Sequence, residues 1–397
     1  MSTKDIKHLS VLGLIGVLLA YFQQGGNAVL NGAIPNIVGA LNISPETAGQ
    51  VGTVGALFAV IAGLLVGRLA GSAIKYKTFL VVSLLISIAG GACPAVISTW
   101  PAILFSRACV GFGVGVFFAV PPVLIMRYYE GEEQRKKIGL ASVFASAGGG
   151  VMVLIVGVLA NVQWNFVFWV YALGILALIP VLLALKEPEK AAAPSDASGQ
   201  QQKEKLSVPV PVILNFVLMF IGGIFGMCGY IFNSVIIDVR GLGSNIEIAV
   251  VQMMFNVSAV ILSFFFAPLY KIFKRFLAII ILLVVLIGSI LVHYSSSLVM
   301  SAVGIFLIGT FLLIIPTLLT DNVQWNLNPA TMTFAASFLG VVMNLGNFVM
   351  GPYMQFAGSI ADESIFMPPL FFSLFGLGAT IVIFFVIRLV QKPPAAA

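Results

Sequence analysis

The chain has 397 residues, of which 60% are hydrophobic and only 9% charged, with a mean hydropathy of +1.10. A soluble domain is roughly half apolar and a quarter charged, so this balance excludes a soluble enzyme. It also excludes a nucleic-acid binder in spite of the net charge of +6, and implies a polytopic, all-α membrane protein.

A hydrocarbon core of about 30 Å takes about 20 apolar residues per helix, and the apolar stretches are too long for barrel strands. In chain order, spans are predicted at about 9–40, 48–67, 78–97, 101–126, 138–160, 163–185, 208–237, 248–270, 276–294, 298–320, 331–356 and 366–390. Between the sixth and seventh stands Lys186 to Ser207, KEPEKAAAPSDASGQQQKEKLS, which has too little apolar surface to offset its ordering entropy. The expected division is therefore a six-helix bundle over 1–185, a linker over 186–207 and a second six-helix bundle over 208–397. Apart from Arg107 inside span 4, every basic residue except Arg240 falls on one side of these spans. Positive charge marks the cytoplasm, which places both termini and the linker there and the protein in the cell (plasma or inner) membrane. Lys4 to His8 set the N-terminus inside, and the long first span is read as a retained anchor, not a cleaved leader.

Span 1 carries Gln24, Asn27 and Asn31 at i, i+3 and i+7, one stripe of a regular helix, with Pro35 one turn on. Span 4 holds Arg107, about 9 Å deep if the helix is regular. Span 5 is rich in glycine at Gly139, Gly148, Gly149 and Gly150, and tight helix packing accounts for these. In the second half, Gly226, Tyr230, Asn233 and Ile237 share a face of span 7, and Gln252 and Asn256 a face of span 8. Span 10 has Thr310, Thr317 and Thr320 around Pro316, and span 11 has Gly340, Asn344, Asn347 and Gly351 in one stripe. Polar stripes in both halves are what a cavity between the halves requires.

Several of these stretches resemble motifs of one transporter family. Asn27 to Pro35, NAVLNGAIP, is similar to the first-span signature of drug exporters in the major facilitator superfamily, with Asn27 where the exporters carry an acid. Gly67 to Lys77, GRLAGSAIKYK, resembles that family's loop between spans 2 and 3. Gly67, Leu69, Ala70 and Lys75 match it, while Gly71 replaces the acid, Ser72 the next basic residue and Ile74 the second glycine. Ala267 to Arg275, APLYKIFKR, stands about 200 residues later in the same place between spans 8 and 9. Arg107 and Gly111 resemble the antiporters' R-x-x-Q-G, with Val110 for the glutamine, and the exporters' Gly-Pro of span 5 is found instead at Gly351 and Pro352 of span 11. The resemblance covers essentially the whole chain. It implies two six-helix bundles that rock about a central site lined above all by spans 1, 4, 7 and 10.

The fourteen acids all fall in tails, loops or span ends, Asp321 among them, which leaves Arg107 as the one charge expected within the membrane. Arginine there costs about 2.5 to 3.5 kcal/mol on insertion scales, and its planar fork suits a carboxylate. Cys93, Cys109 and Cys228 are scattered through apolar spans, and with only two histidines in the chain neither a metal site nor a catalytic cluster is expected. The resulting expectation is a secondary transporter, not an enzyme, with no cofactor. It would act as a monomer in the lipid bilayer on a small-molecule substrate. An organic anion is the first choice of substrate, held by Arg107, Gln24, Asn27, Asn31, Tyr230, Asn233, Asn256, Asn344 and Asn347. The alternative is an exporter of apolar compounds, which Phe117 and Phe118 of span 4 would suit.

Overall fold

A computed structural model describes residues 9–71, 73–129, 131–187, 208–323, 325, 329–360 and 365–390. Within them the regular structure is helical, apart from an isolated bridge between Ala70 and Ile74. The helices group into rods: α1 (11–41), α2 (Pro45–Leu69), α3 (Tyr76–Ala95), α4 (Trp100–Tyr128), α5 (Gly131–Ala160) and α6 (Trp164–Ala184). After the linker come α7 (Val210–Val239), α8 (Asn245–Phe273), α9 (Leu277–His293), α10 (Leu298–Asn322), α11 (Pro329–Ile360) and α12 (Pro368–Val390). Among the described residues nine stretches are long and apolar enough to cross a membrane, and one of them, Asn245–His293, holds α8 and α9 in series.

Residues 188–207, most of the expected linker, lie outside the described residues. Its first two residues are docked: the Glu187 carboxylate accepts from the backbone N–H groups of Tyr76 (2.7 Å) and Lys77 (3.0 Å), and the Lys186 carbonyl accepts from Tyr128 Oη at 2.8 Å. A carboxylate suits a helix N-terminus because the first N–H groups there have no partner in their own helix.

Small residues set the tightest helix pairings. Gly111 of α4 lies directly on the Gly55 carbonyl of α2, and a β-carbon at Gly115 would come 2.8 Å from the Ala62 side chain. Gly148, Gly149 and Gly150 are likewise close-packed, but Gly139 and Gly340 have nothing within 4 Å of where a β-carbon would stand. The expectation that packing explains every glycine of α5 therefore fails at Gly139. The two similar loops both turn through a left-handed residue, Gly71 (φ 74°) after α2 and Lys274 (φ 46°) after α8. Glycine adopts such a φ without steric cost, whereas lysine does so against it.

Among the described residues the close contacts between the two halves gather toward one end. Near the end that carries Glu46, Asn161 and Arg240, α5 packs on α8 and α2 on α11. Gly157 meets Ala249, and a β-carbon at Gly49 or Gly351 would come 2.6 Å from Met354 or Thr53 respectively. Asn245 Nδ2 donates to Asn161 Oδ1 at 3.0 Å across the same seam. Toward the other end, which carries Arg68, Lys75 and Arg127, Gly63 and Gly67 of α2 and Gly340 of α11 have open space beside them. The halves are splayed at this basic end.

Asp321 is 2% and Arg388 4% exposed, so Arg107 is not the only charge inside the protein. Arg388 Nη2 donates to Asp321 Oδ2 at 3.1 Å and to Asn215 Oδ1 at 2.5 Å. Tyr270 Oη donates to Asp321 Oδ1 at 2.9 Å, and Asn215 Nδ2 to Asn322 Oδ1 at 2.7 Å, so the network ties α7, α8, α10 and α12 together. Position near a span end does not imply water contact where the end is covered by neighbouring helices. Removing one member of a buried pair leaves the other uncompensated, at a cost of about 3–5 kcal/mol. Asp321→Asn should therefore lower the melting temperature of the purified protein sharply, while the double change Asp321→Leu with Arg388→Met should recover most of the loss.

Candidate functional site

The seam between the halves is approached from the first half through α1, which does not run as one α-helix. Its ladder gives way to 3₁₀ turns at Gln23–Asn27 and Val29–Ala33 before resuming at Ile34–Leu41. At three residues per turn the spacing of Gln24, Asn27 and Asn31 no longer describes one α-helical stripe, and their environments separate. Gln24 Nε2 donates to the Phe117 carbonyl at 2.8 Å within the first half. Asn27 lies against Gly55 of α2 with its Oδ1 buried and unpaired. Asn31 is buried at the seam: its carbonyl accepts from Ser234 Oγ of α7 at 2.6 Å, and its Oδ1 has no partner.

The tight approach of α1 to its neighbours explains where the ladder opens. A β-carbon at Gly25 would come 2.8 Å from Cα of Gly149, and one at Gly26 would come 3.2 Å from Val110. The freed Gly26 carbonyl accepts from Tyr171 Oη at 2.9 Å, and Tyr171 Oη in turn accepts from Arg107 Nη1 at 2.7 Å. Arg107 is 0% exposed. Its Nη2 donates to Ser106 Oγ at 3.1 Å, Ser106 Oγ donates to the Gly91 carbonyl at 2.9 Å, and Nε has no partner. The guanidinium is thus inside the first half among neutral groups, linked through Tyr171 to the opened turn of α1.

From the second half, α7 is interrupted at Met227 and resumes at Cys228–Val239, which carries Tyr230, Asn233 and Ser234. Tyr230 is buried and stacked on Phe255 with ring centroids 4.4 Å apart, and its carbonyl accepts from Gln252 Nε2 at 3.1 Å. Asn233 is 0% exposed, and among the described residues neither its Nδ2 nor its Oδ1 has a partner. Gln252 Oε1 is also buried and unpaired. Asn256, half-buried, sits over Gly149 of α5, where a β-carbon would come 2.8 Å from its Oδ1. On α11, Asn344 Nδ2 donates to the Gly340 carbonyl of its own helix at 2.9 Å, while Asn347 Oδ1 is buried without a partner.

The structure thus brings Asn31, Ser234, Gln252 and Asn256 to the contact between halves, with Gln252 beside Gly32 of α1 and joined to the Tyr230 carbonyl. It holds Arg107 and Gln24 inside the first half. The threonines of α10 are turned to their own helix: Thr310, Thr317 and Thr320 donate to the carbonyls of Leu307, Leu313 and Pro316. Ser234 and Tyr171 were absent from the sequence-derived site. A serine next to the already chosen Asn233 gives no periodic signal, and Tyr171 lies in a span whose regular pattern is apolar. Among the described residues no group of three or more His, Cys, Asp or Glu is placed to hold a metal ion.

Comparison with known proteins matches residues 13–351 to the Major Facilitator Superfamily. Among solved structures, a bacterial homolog of the human lysosomal transporter Spinster, inward-facing and occupied, superposes with a TM-score of 0.73 at 16% identity, covering 96% of this chain and 98% of that one. The same homolog, inward-facing and unoccupied, gives 0.70 at 18% identity over 97% and 96% of the two chains. The nucleoside transporter NupG gives 0.72 at 13% identity over 96% of this chain and 100% of its own. At these identities the likeness is one of fold.

The Arg107–Tyr171–Gly26 chain makes a prediction. Tyr171→Phe removes the acceptor of a buried guanidinium N–H and the donor to an opened helix carbonyl, each worth about 1–3 kcal/mol when left unpaired. The melting temperature should fall, and amide-specific protection of α1 around Gly26 in hydrogen exchange should fall with it.

Proposed function

Because the chain belongs to the Major Facilitator Superfamily, we propose that this secondary membrane transporter carries a small polar organic solute, held by side-chain amides between its two halves. The observation that carries the reading is Asn233, fully buried with both polar atoms unpaired among the described residues. An unsatisfied buried polar group costs about 1–3 kcal/mol, so a solute that offers it a donor and an acceptor binds with that penalty relieved. Asn27, Asn31, Gln252 and Asn347 each add an unpaired buried acceptor oxygen, which favours a solute rich in O–H or N–H groups. An apolar solute would leave all of them unpaired, and this weighs against the exporter of apolar compounds.

A second reading, transport of an organic anion, draws on Arg107, which has only neutral hydrogen-bond partners and a free Nε. A carboxylate would have to displace Tyr171 or Ser106 to reach it. The two readings separate in one experiment. A melting-temperature screen of the purified protein against polyols, nucleosides, amines and carboxylates picks out ligands, since binding to the folded state stabilises it. Asn233→Leu should then weaken binding of the solute by at least about tenfold, one hydrogen bond's worth, while leaving the unliganded melting temperature unchanged or higher. An Asn233→Leu protein that melts lower and binds normally would make the amide structural. Carboxylate ligands lost in Arg107→Gln would favour the second reading.

The one-sided basic residues support a cytoplasmic placement of the basic end and of both termini. With that orientation the splayed end opens inward, and the contacts of Asn161, Asn245, Gly157 and Met354 close the outer side. Alternating access then requires these contacts to part. Cysteines at Asn161 and Asn245 joined by a short cleavable thiol cross-linker should stop flux into proteoliposomes, and cleavage of the linker should restore it.

A further inference from the structure

At the basic end of the first half, the start of α3 and the end of α6 enclose a cleft of about 580 Å³. Lys75, Lys77 and Lys186 line it, with Glu187, Val81 and Val82. The single acid offsets only one of the three lysine charges, and its oxygens accept from the N–H groups of Tyr76 and Lys77 at the N-terminus of α3. Lys77 Nζ donates to the Leu182 carbonyl at 2.8 Å, while the ammonium groups of Lys75 and Lys186 meet no acceptor among the described residues. Their positions are nevertheless set by structure. Lys75 is the residue before α3, in extended conformation, and the Lys186 carbonyl is held by Tyr128 Oη.

The wall of the cleft continues into an apolar surface. Val82 and Leu85 of α3 and Leu176, Ile179 and Leu183 of α6 are exposed, Val82 by 44% and Leu183 by 74%. In a membrane-spanning bundle such residues face acyl chains, and the cleft stands where those helices end, at the depth of the headgroups. Two uncommitted ammonium groups above an apolar stripe match a molecule with an anionic head and a hydrocarbon tail.

We propose that this cleft binds the phosphate of an anionic phospholipid, with Lys75 and Lys186 as its charged contacts and the α3–α6 stripe as the seat of its acyl chain. Lys77 and Thr78 border the site, and Glu187 fixes its geometry by holding the end of α6 against the start of α3. The site is distinct from the seam between the halves and depends on the membrane setting of the chain alone, so it stands or falls independently of the transported solute.

The test uses the full-length protein in a neutral detergent, titrated with short-chain phosphatidylglycerol, with phosphatidylcholine of the same chain length and with glycerol 3-phosphate. Melting temperature is the readout, and an apparent affinity follows from its concentration dependence. Phosphatidylglycerol should stabilise the protein and the other two should not. A lysine at an anionic lipid surface is worth about fivefold in affinity, so Lys75→Gln with Lys186→Gln should weaken the phosphatidylglycerol response by about 25-fold. These two exposed side chains make no bond with the described residues, so the variant should melt normally without lipid. The pair Lys271→Gln with Lys274→Gln in the second half should respond as the unchanged protein does. An equal response to phosphatidylcholine, or to glycerol 3-phosphate, would overturn the lipid assignment. So would a double variant that keeps the phosphatidylglycerol response, or a second-half variant that loses it equally. Should the double variant fold poorly, Lys186→Gln alone carries the test, with about a fivefold weakening expected and an unchanged affinity overturning the proposal.

Discussion

Inside a bilayer a backbone amide finds no water, so a helix that opens its hydrogen-bond ladder must do so against protein. Much of this molecule follows from that constraint. The 3₁₀ turns of α1 expose carbonyls that a lipid-facing helix would leave unpaired, and here they meet partners from other rods: Tyr171 on the Gly26 carbonyl and Ser234 on that of Asn31. The glycines that let α1 approach α5 and α4 so closely are the same ones that weaken its helix, Gly25 and Gly26. Close packing, broken helix and polar seam are one arrangement. Each element makes the next affordable in a medium that punishes unpaired groups.

The two halves handle buried charge differently. In the second, Arg388 faces a carboxylate and an amide, in a network that extends to Asn322 and Tyr270 and is confined to α7, α8, α10 and α12. That network is internal to one bundle and does not change when the bundles move apart. In the first, Arg107 has neutral partners and sits one hydrogen bond from Tyr171, which holds the opened turn of α1. Movement of α1 therefore bears on the environment of Arg107, whereas movement of the second bundle as a body leaves Arg388 undisturbed.

Membrane class, helical architecture and family were legible in the sequence because each rests on long-range averages: apolar length and similar loops about 200 residues apart. The site was legible only in part. Asn31, Asn233 and Asn256 were visible because an amide in an apolar span stands out by chemistry alone, and the unpaired atoms of Asn31 and Asn233 carry the functional reading. Periodicity served well where the helix is regular and misled where it is not. Gln24, Asn27 and Asn31 form a stripe only if α1 keeps 3.6 residues per turn, and its glycines and close neighbours prevent that. The Asp321–Arg388 pair escaped because position near a span end says nothing about lateral cover by other helices. Tyr171 escaped because its role is set by a carbonyl 145 residues away in the chain.

The contact between halves at one end has a mechanical consequence. On α8 the residues that touch the first half run from Asn245 to Asn256, the first part of a 29-residue rod. At 1.5 Å per residue the remainder projects about 25 Å beyond the last contact. The rod is then a lever whose fulcrum lies among Gly149, Gly157 and their partners, and a tilt of about 10° there displaces the far tip by about 4 Å, roughly the width of a small solute. A fulcrum made of glycines and single amides lets two surfaces roll over each other with few side chains to repack, so a shift of about 1 Å at the seam is geared up into a passage at the opposite face.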